Sequence, residues 1–130
     1  MRLYRSMTED HDGLPAVGPG GRLLGVRPGN APVADVPAVD AADQVLPGQG
    51  GMSVAPDDPL HLLRHRRPRS LGGTGFDPVW YIETNDLGPD LSFQQNHPGH
   101  GVIEPTTVVT LGEFQQALAR TRLSWKLYCR

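Results

Sequence analysis

The sequence predicts one small α+β domain, with short β-strands joined by many turns and one well-marked helix near the end. Three observations carry the prediction. The 130 residues include 16 glycines and 13 prolines, a punctuation that breaks regular structure into short pieces. Val79-Trp80-Tyr81-Ile82-Glu83 is β-branched and aromatic, as a strand requires. Thr110-Leu111-Gly112-Glu113 is a capping-box pattern, in which threonine accepts from the first turn and glutamate reaches back. Short strands with one strong helix favour a sheet sandwich or split barrel carrying small helices. A chain of this length buries about two-thirds of its unfolded surface without staples.

The elements follow in order. Leu3-Tyr4-Arg5 reads as a short strand. Residues 13–51 are broken by Gly and Pro, with a strand expected at 22–27. The Ala/Val/Asp/Pro tract at 31–45 reads either as a weak helix around 39–45 or as an extended surface loop. Met52-Ser53-Val54 is a strand leaving the Gly50-Gly51 turn. Pro56-Asp57-Asp58-Pro59 is a turn that starts a brief helix at 60–64, and Gly72-Gly73-Thr74-Gly75 reads as a mobile turn. In the strand at 79–83, alternation puts Val79 and Tyr81 on one face, Trp80 and Ile82 on the other. Leu91-Ser92-Phe93, Gly101-Val102-Ile103-Glu104 and 106–109 are further short strands. In the final helix Leu111, Phe114, Ala117 and Leu118 share one face, with Gln115, Gln116 and Arg120 away from it. No repeat or linker divides the chain, so residues 1–130 are read as one domain.

Composition narrows the function classes. Cys129 is the single cysteine, so no internal disulfide is expected and the chain reads as a protein of a reducing, cytoplasmic setting. The start, Met1-Arg2-Leu3-Tyr4-Arg5, lacks the apolar run of a secretory signal, and no stretch reaches transmembrane length. A protein delivered into a target cell without a cleaved signal reads the same way. The formal net charge of −2 gives no global field toward nucleic acid or membrane. Lys126 is the only lysine among 12 basic residues, so arginine, with its fixed donor fork, carries nearly all the positive charge.

Several residues carry chemistry on pattern alone, each beside a plainer reading. Glu104 ends an apolar strand just before Pro105, where it is either a solvated strand-end glutamate or a carboxylate projecting into a cleft on the face of Val102. Arg5 shares a face with Leu3, so it points to the covered side and needs an anionic partner, either a structural one or a ligand. Ser53 places a small hydroxyl where backbone or ligand comes close. No Gly-x-Ser-x-Gly elbow surrounds it, which excludes a hydrolase nucleophile. Arg64-His65-Arg66-Arg67-Pro68-Arg69 is the concentrated positive patch. It suits a pyrophosphate, a nucleic-acid backbone, a partner protein or plain solvation. His61 and His65, and His97 and His100, have ligand-like spacing, but the second pair flanks Pro98-Gly99 and no Cys pair or His-Glu-x-x-His accompanies them, so no metal site is expected. Gly72-Gly73-Thr74-Gly75 lacks the Lys-Ser/Thr ending of a phosphate-cradling loop.

Three segments in order, Leu3-Tyr4-Arg5-Ser6, Gly51-Met52-Ser53-Val54 and His100-Gly101-Val102-Ile103-Glu104-Pro105, resemble the small ADP-ribosyltransferase-like toxins found among bacterial type VI secretion effectors. The resemblance implies the split-sheet fold of ADP-ribosyltransferases, with short helices and a C-terminal helix, and NAD as the molecule bound. It implies that Arg5 holds the phosphate or ribose side of NAD, that Ser53 braces the cleft, and that Glu104 is the catalytic carboxylate on the nicotinamide ribose. It further implies that His100 contacts the cofactor; aromatic placement, apart from the resemblance, offers Tyr81 or Trp80 to stack on nicotinamide.

The chain departs from the family's pattern in two places. Val102 stands two before Glu104, where arginine-modifying members carry an acid or glutamine, and the serine motif is reduced to one hydroxyl. Another acceptor macromolecule, simple NAD hydrolysis and a non-catalytic domain all remain open. The leading expectation is a cytotoxic NAD-dependent transferase held in check by an immunity or antitoxin protein. The alternative is a non-catalytic module that binds a protein through residues 64–69, with nucleic acid a weaker third.

Overall fold

A computed structural model describes residues 1–29 and 34–130. Positions 31–33 of the Ala/Val/Asp/Pro tract lie outside the described residues. Among the described residues the strands are β1 (Arg2–Ser6), β2 (Gln44–Val45), β3 (Met52–Pro56), β4 (Val79–Glu83), β5 (Leu91–His97), β6 (His100–Pro105), β7 (Val109–Thr110) and β8 (Lys126–Cys129), with one α-helix, α1 (Leu111–Arg120). Six of them form a single sheet in the order β5-β6-β3-β1-β4-β8, and β2 pairs with β7 separately. Every paired strand runs antiparallel to its neighbours, and the class is α+β.

The two faces of the sheet follow from alternation, because residues opposite one another in an antiparallel pair share a face. Leu3, Met52, Val54, Trp80, Ile82 and Ile103 point to one side and are buried against α1. The helix presents Leu111, Phe114, Ala117 and Leu118 to them, the face its sequence predicts. Its start is fixed by the predicted reciprocal cap, with Glu113 N donating to Thr110 Oγ1 and Thr110 N donating to Glu113 Oε1. Gln115 also points inward at its end: its amide takes both the N–H and the carbonyl of Val26 and pins the preceding loop to the helix. The opposite face carries a smaller cluster of Tyr4, Ala55 and Val79, covered by Leu62 and Leu71.

Several boundaries differ from expectation. No strand forms at 22–27. The carbonyls of Leu23 and Gly25 are taken by a side chain, Arg5, instead of a neighbouring strand, and only the isolated bridge Val17↔Leu24 remains. The region around 39–45 is a turn leading into β2, where the Asp43 carboxylate caps the Val39 and Asp40 amides. The helix expected at 60–64 is instead two 3-10 turns, Pro59–His61 and Arg64–Arg66. Asp58 caps the first, and the chain is extended at Leu63 between them. The glycine turn at 72–75 is tied down, with Thr74 N donating to Arg64 O and Gly75 N to Arg67 O. A side chain at Gly73 would run into those two carbonyls, and one at Gly75 into the carbonyl of His65. Strand β8 has no counterpart in the sequence reading.

Candidate functional site

The site begins where the sheet opens. Strand β1 pairs with β4 along five residues, yet with β3 only through Leu3↔Pro56 and Tyr4↔Ala55. Beyond those two pairs the strands part, and the Arg5 side chain spans the gap, donating from Nη1 to Ser53 O at 2.8 Å. Over this split, on the face opposite α1, lies a cavity of about 480 Å³. Its floor includes Ser6, Ser53 and Ala55, its roof His61, Leu62 and Leu63, and its sides Arg27, Arg66 and His100. That volume is within the range of small-molecule sites.

Arg5 is 5% exposed and has no carboxylate partner among the described residues. Carbonyls take the place of the expected anion. Nε and Nη2 donate to Leu23 O at 3.2 and 2.9 Å, and Nη2 also reaches Gly20, Gly21 and Gly25. Each of its three nitrogens is thus engaged by backbone. Burial, reinforced by the nearby Arg66 and Arg27 charges and opposed by Asp35, pushes its pKa down to about 10. The residue ties the 20–25 loop to the rim of β3 and forms one wall of the cavity.

Ser53 faces the cavity with its hydroxyl free of protein partners among the described residues. Ser6, missed in the sequence, faces the same space from the other side of the split. Alternation along β1 was the signal that could have found it, since Ser6 follows Tyr4 on the outer face. His100 lines the cavity from the β5–β6 hairpin, with Nδ1 2.6 Å from Asn96 Oδ1. Burial and the neighbouring His97 hold its pKa below the ordinary value.

Glu104 is 6% exposed and lies outside the cavity lining. It stands on the same face as Ser53, because Ser53 pairs with Val102 and Glu104 is two residues further along β6. That diagonal relation places the two about 7–8 Å apart at the backbone. Its Oε2 accepts the Gly48 N–H at 2.7 Å, and no cation pairs with it among the described residues. The aromatic residues sit elsewhere. Trp80 is buried in the core with its indole N–H on Met7 O, and Tyr81 stacks beneath Arg2, whose guanidinium carbon is 4.2 Å from the ring centre. Neither lines the cavity.

The basic stretch at 64–69 does not act as one surface. Arg66 turns into the cavity and donates to Gly21 O, Arg67 folds back onto Leu71 O, and Arg64 and Arg69 are exposed. Arg27 and Asp35, also unforeseen, complete the wall as a paired unit. Asp35 accepts from Arg27 Nη2 at 3.1 Å and from the Arg27 backbone N–H at 2.7 Å. Among the described residues no group of three or more His, Cys, Asp or Glu is placed to hold a metal ion. None of their helices is long and apolar enough to cross a membrane.

Compared with known proteins, the chain matches no family model, no curated protein and no solved structure.

Proposed function

We propose that the chain has the split-sheet fold of ADP-ribosyltransferases and acts as an NAD-dependent ADP-ribosyltransferase-like toxin in the cytoplasm of the cell it reaches. One observation supports this reading above the others. Arg5, Ser53 and Glu104 stand on three neighbouring strands, β1, β3 and β6, around the point where the sheet parts. An elongated ligand lying along β6 from His100 past Ser53 to Glu104 spans four residue steps, about 13 Å of strand. That length suits a dinucleotide better than a single small anion.

The residues present fit NAD. Arginine and histidine side chains at the hairpin end suit its phosphates, and the Ser53 hydroxyl is free to bond a ribose. A carboxylate held still by the Gly48 N–H suits the other end. As nicotinamide leaves, positive charge grows on the sugar, and a fixed carboxylate stabilises it, as in glycosidases. With NAD bound, Glu104 would perform that task by accepting from the ribose 2′-hydroxyl while the Gly48 N–H holds it in place. Val102, apolar and next to Glu104 on its face, offers no second acid to activate an arginine acceptor. The acceptor is therefore another group on a macromolecule, or water. An immunity protein that covers the cavity mouth would protect the producing cell.

The test is release of nicotinamide from NAD by the purified chain, with and without cell extract. Wild type releases it, and Glu104→Gln is slower by about 100-fold or more, the scale of losing one preorganised electrostatic group. Absence of release under both conditions, or equal toxicity of wild type and Glu104→Gln on expression, would overturn the reading.

A further inference from the structure

The cavity is cationic in a chain whose net charge is −2. Three arginines, Arg5, Arg27 and Arg66, and three histidines, His61, His65 and His100, line it, against Asp35 as the one carboxylate among the described lining residues. Asp35 is already engaged by Arg27, and two guanidinium charges remain without a carboxylate among the described residues. They differ in availability. Arg5 is buried and bonded at every nitrogen to the backbone. Arg66 spends only Nη1, on Gly21 O at 2.9 Å, and its Nε and Nη2 have no partner among the described residues.

The absence of a side chain at Gly21 lets these groups converge. A Cβ there would come within 2.8 Å of Arg66 Nη2 and 3.5 Å of the Arg27 guanidinium carbon. Two like charges brought to one glycine raise each other's cost unless an anion sits between them. The influence of both Arg66 and Arg27 on Arg5 is a second sign of that crowding.

We propose that Arg66, assisted by Arg27 and His65, is the group that grips a diphosphate in this cavity, and that Arg5 serves as framework. The inference deepens the NAD reading and rests on it only for the identity of the nucleotide. The ligand class is a diphosphate-bearing nucleotide. A planar fork with two unspent donor nitrogens bonds adjacent phosphate oxygens in the bidentate manner that favours arginine over lysine. Arg69, exposed and outside the cavity, takes no part in it.

Calorimetric titration of the full chain with inorganic pyrophosphate, ADP and ADP-ribose tests the assignment. Wild type binds, with ADP-ribose tighter than pyrophosphate if the sugars are also held. Arg66→Ala weakens binding by about 10- to 100-fold, the scale of one charge-assisted contact. Arg66→Lys, which keeps the charge and loses the fork, falls between them, and Arg69→Ala binds like wild type. Thermal melts of each variant confirm folding. Unchanged affinity in Arg66→Ala, or an equal loss in Arg69→Ala, overturns the proposal. So does a single-stranded oligonucleotide that binds while pyrophosphate and ADP do not. Diphosphate binding lost in Arg66→Ala, in a protein that never releases nicotinamide, would leave this proposal standing and remove the enzymatic one. Nicotinamide release with affinity indifferent to Arg66 would do the reverse.

Discussion

Replacing Arg5 by methionine separates a framework role from a ligand-holding one. The side chain it removes makes two short charge-assisted bonds, from Nη1 to Ser53 O at 2.8 Å and from Nη2 to Leu23 O at 2.9 Å, and four longer ones, from Nε to Leu23 and from Nη2 to Gly20, Gly21 and Gly25. Each buried carbonyl left without a donor costs about 1–3 kcal/mol. Counting only the two short bonds gives about 2–6 kcal/mol for the substitution. Two effects pull toward the lower half of that range. Water can enter from the adjacent cavity to bond the freed carbonyls, and the protein no longer holds a charge whose burial has drawn its pKa down to about 10. The expected loss is therefore about 2–4 kcal/mol, read as a lower midpoint in urea with an unchanged slope. Arg5→Lys should recover only part of it, since one ammonium cannot reach carbonyls on both the 20–25 loop and β3. Equal stability of wild type and Arg5→Met, or full stability of Arg5→Lys coupled to loss of diphosphate binding, would refute the framework role.

Two further outcomes follow from local geometry. Gln115→Ala should cost about 1–3 kcal/mol, because it strands the Val26 N–H and carbonyl at once; a thermal shift of less than a degree would show that water replaces the amide freely. His100 has its pKa lowered by burial and by His97, so the folded state favours its neutral form. Its contribution to stability is intact above about pH 6.5, the unfolded value, and is lost as the pH falls through the folded one. Urea midpoints should therefore decline on acidification below about 6.5, and less steeply in His100→Asn; parallel curves for the two proteins would exclude this source.

How much was readable in advance depended on how local each cause was. The cap at Thr110 and Glu113 and the apolar stripe of α1 are set within a few residues, as is the alternation of β4, and all three emerge as read. Strand β8 was missed because Lys126, Leu127 and Tyr128 are all exposed and lack a buried alternate face. The direction of Arg5 was legible from its alternation with Leu3, but not its partners. One, Ser53 O, comes from β3, and the rest from a loop 15 to 20 residues away that turns its carbonyls inward. The glycines at 18, 20, 21 and 25 were the available clue, marking a segment that something approaches closely. Ser6, Arg27 and Asp35 come together only through the split between β1 and β3, and no periodicity in the sequence encodes where a ladder stops.

Glu104 stands apart from the other buried charges in how little supports it. Asp35 and Asp77, both well covered, are each matched to an arginine, Arg27 and Arg22. Glu104, at 6% exposure, has a single backbone donor and no arginine among the described residues. A carboxylate withdrawn from water without a cation costs stability, and glutamine of the same shape would keep the bond to Gly48 through its carbonyl oxygen without the charge. The fold alone thus gives no reason to prefer glutamate here, whereas the proposed role beside the sugar of NAD would. For the same reason Glu104→Gln is a clean variant. Its fold should be at least as stable as wild type, so a loss of nicotinamide release in it reports on the missing charge and not on unfolding.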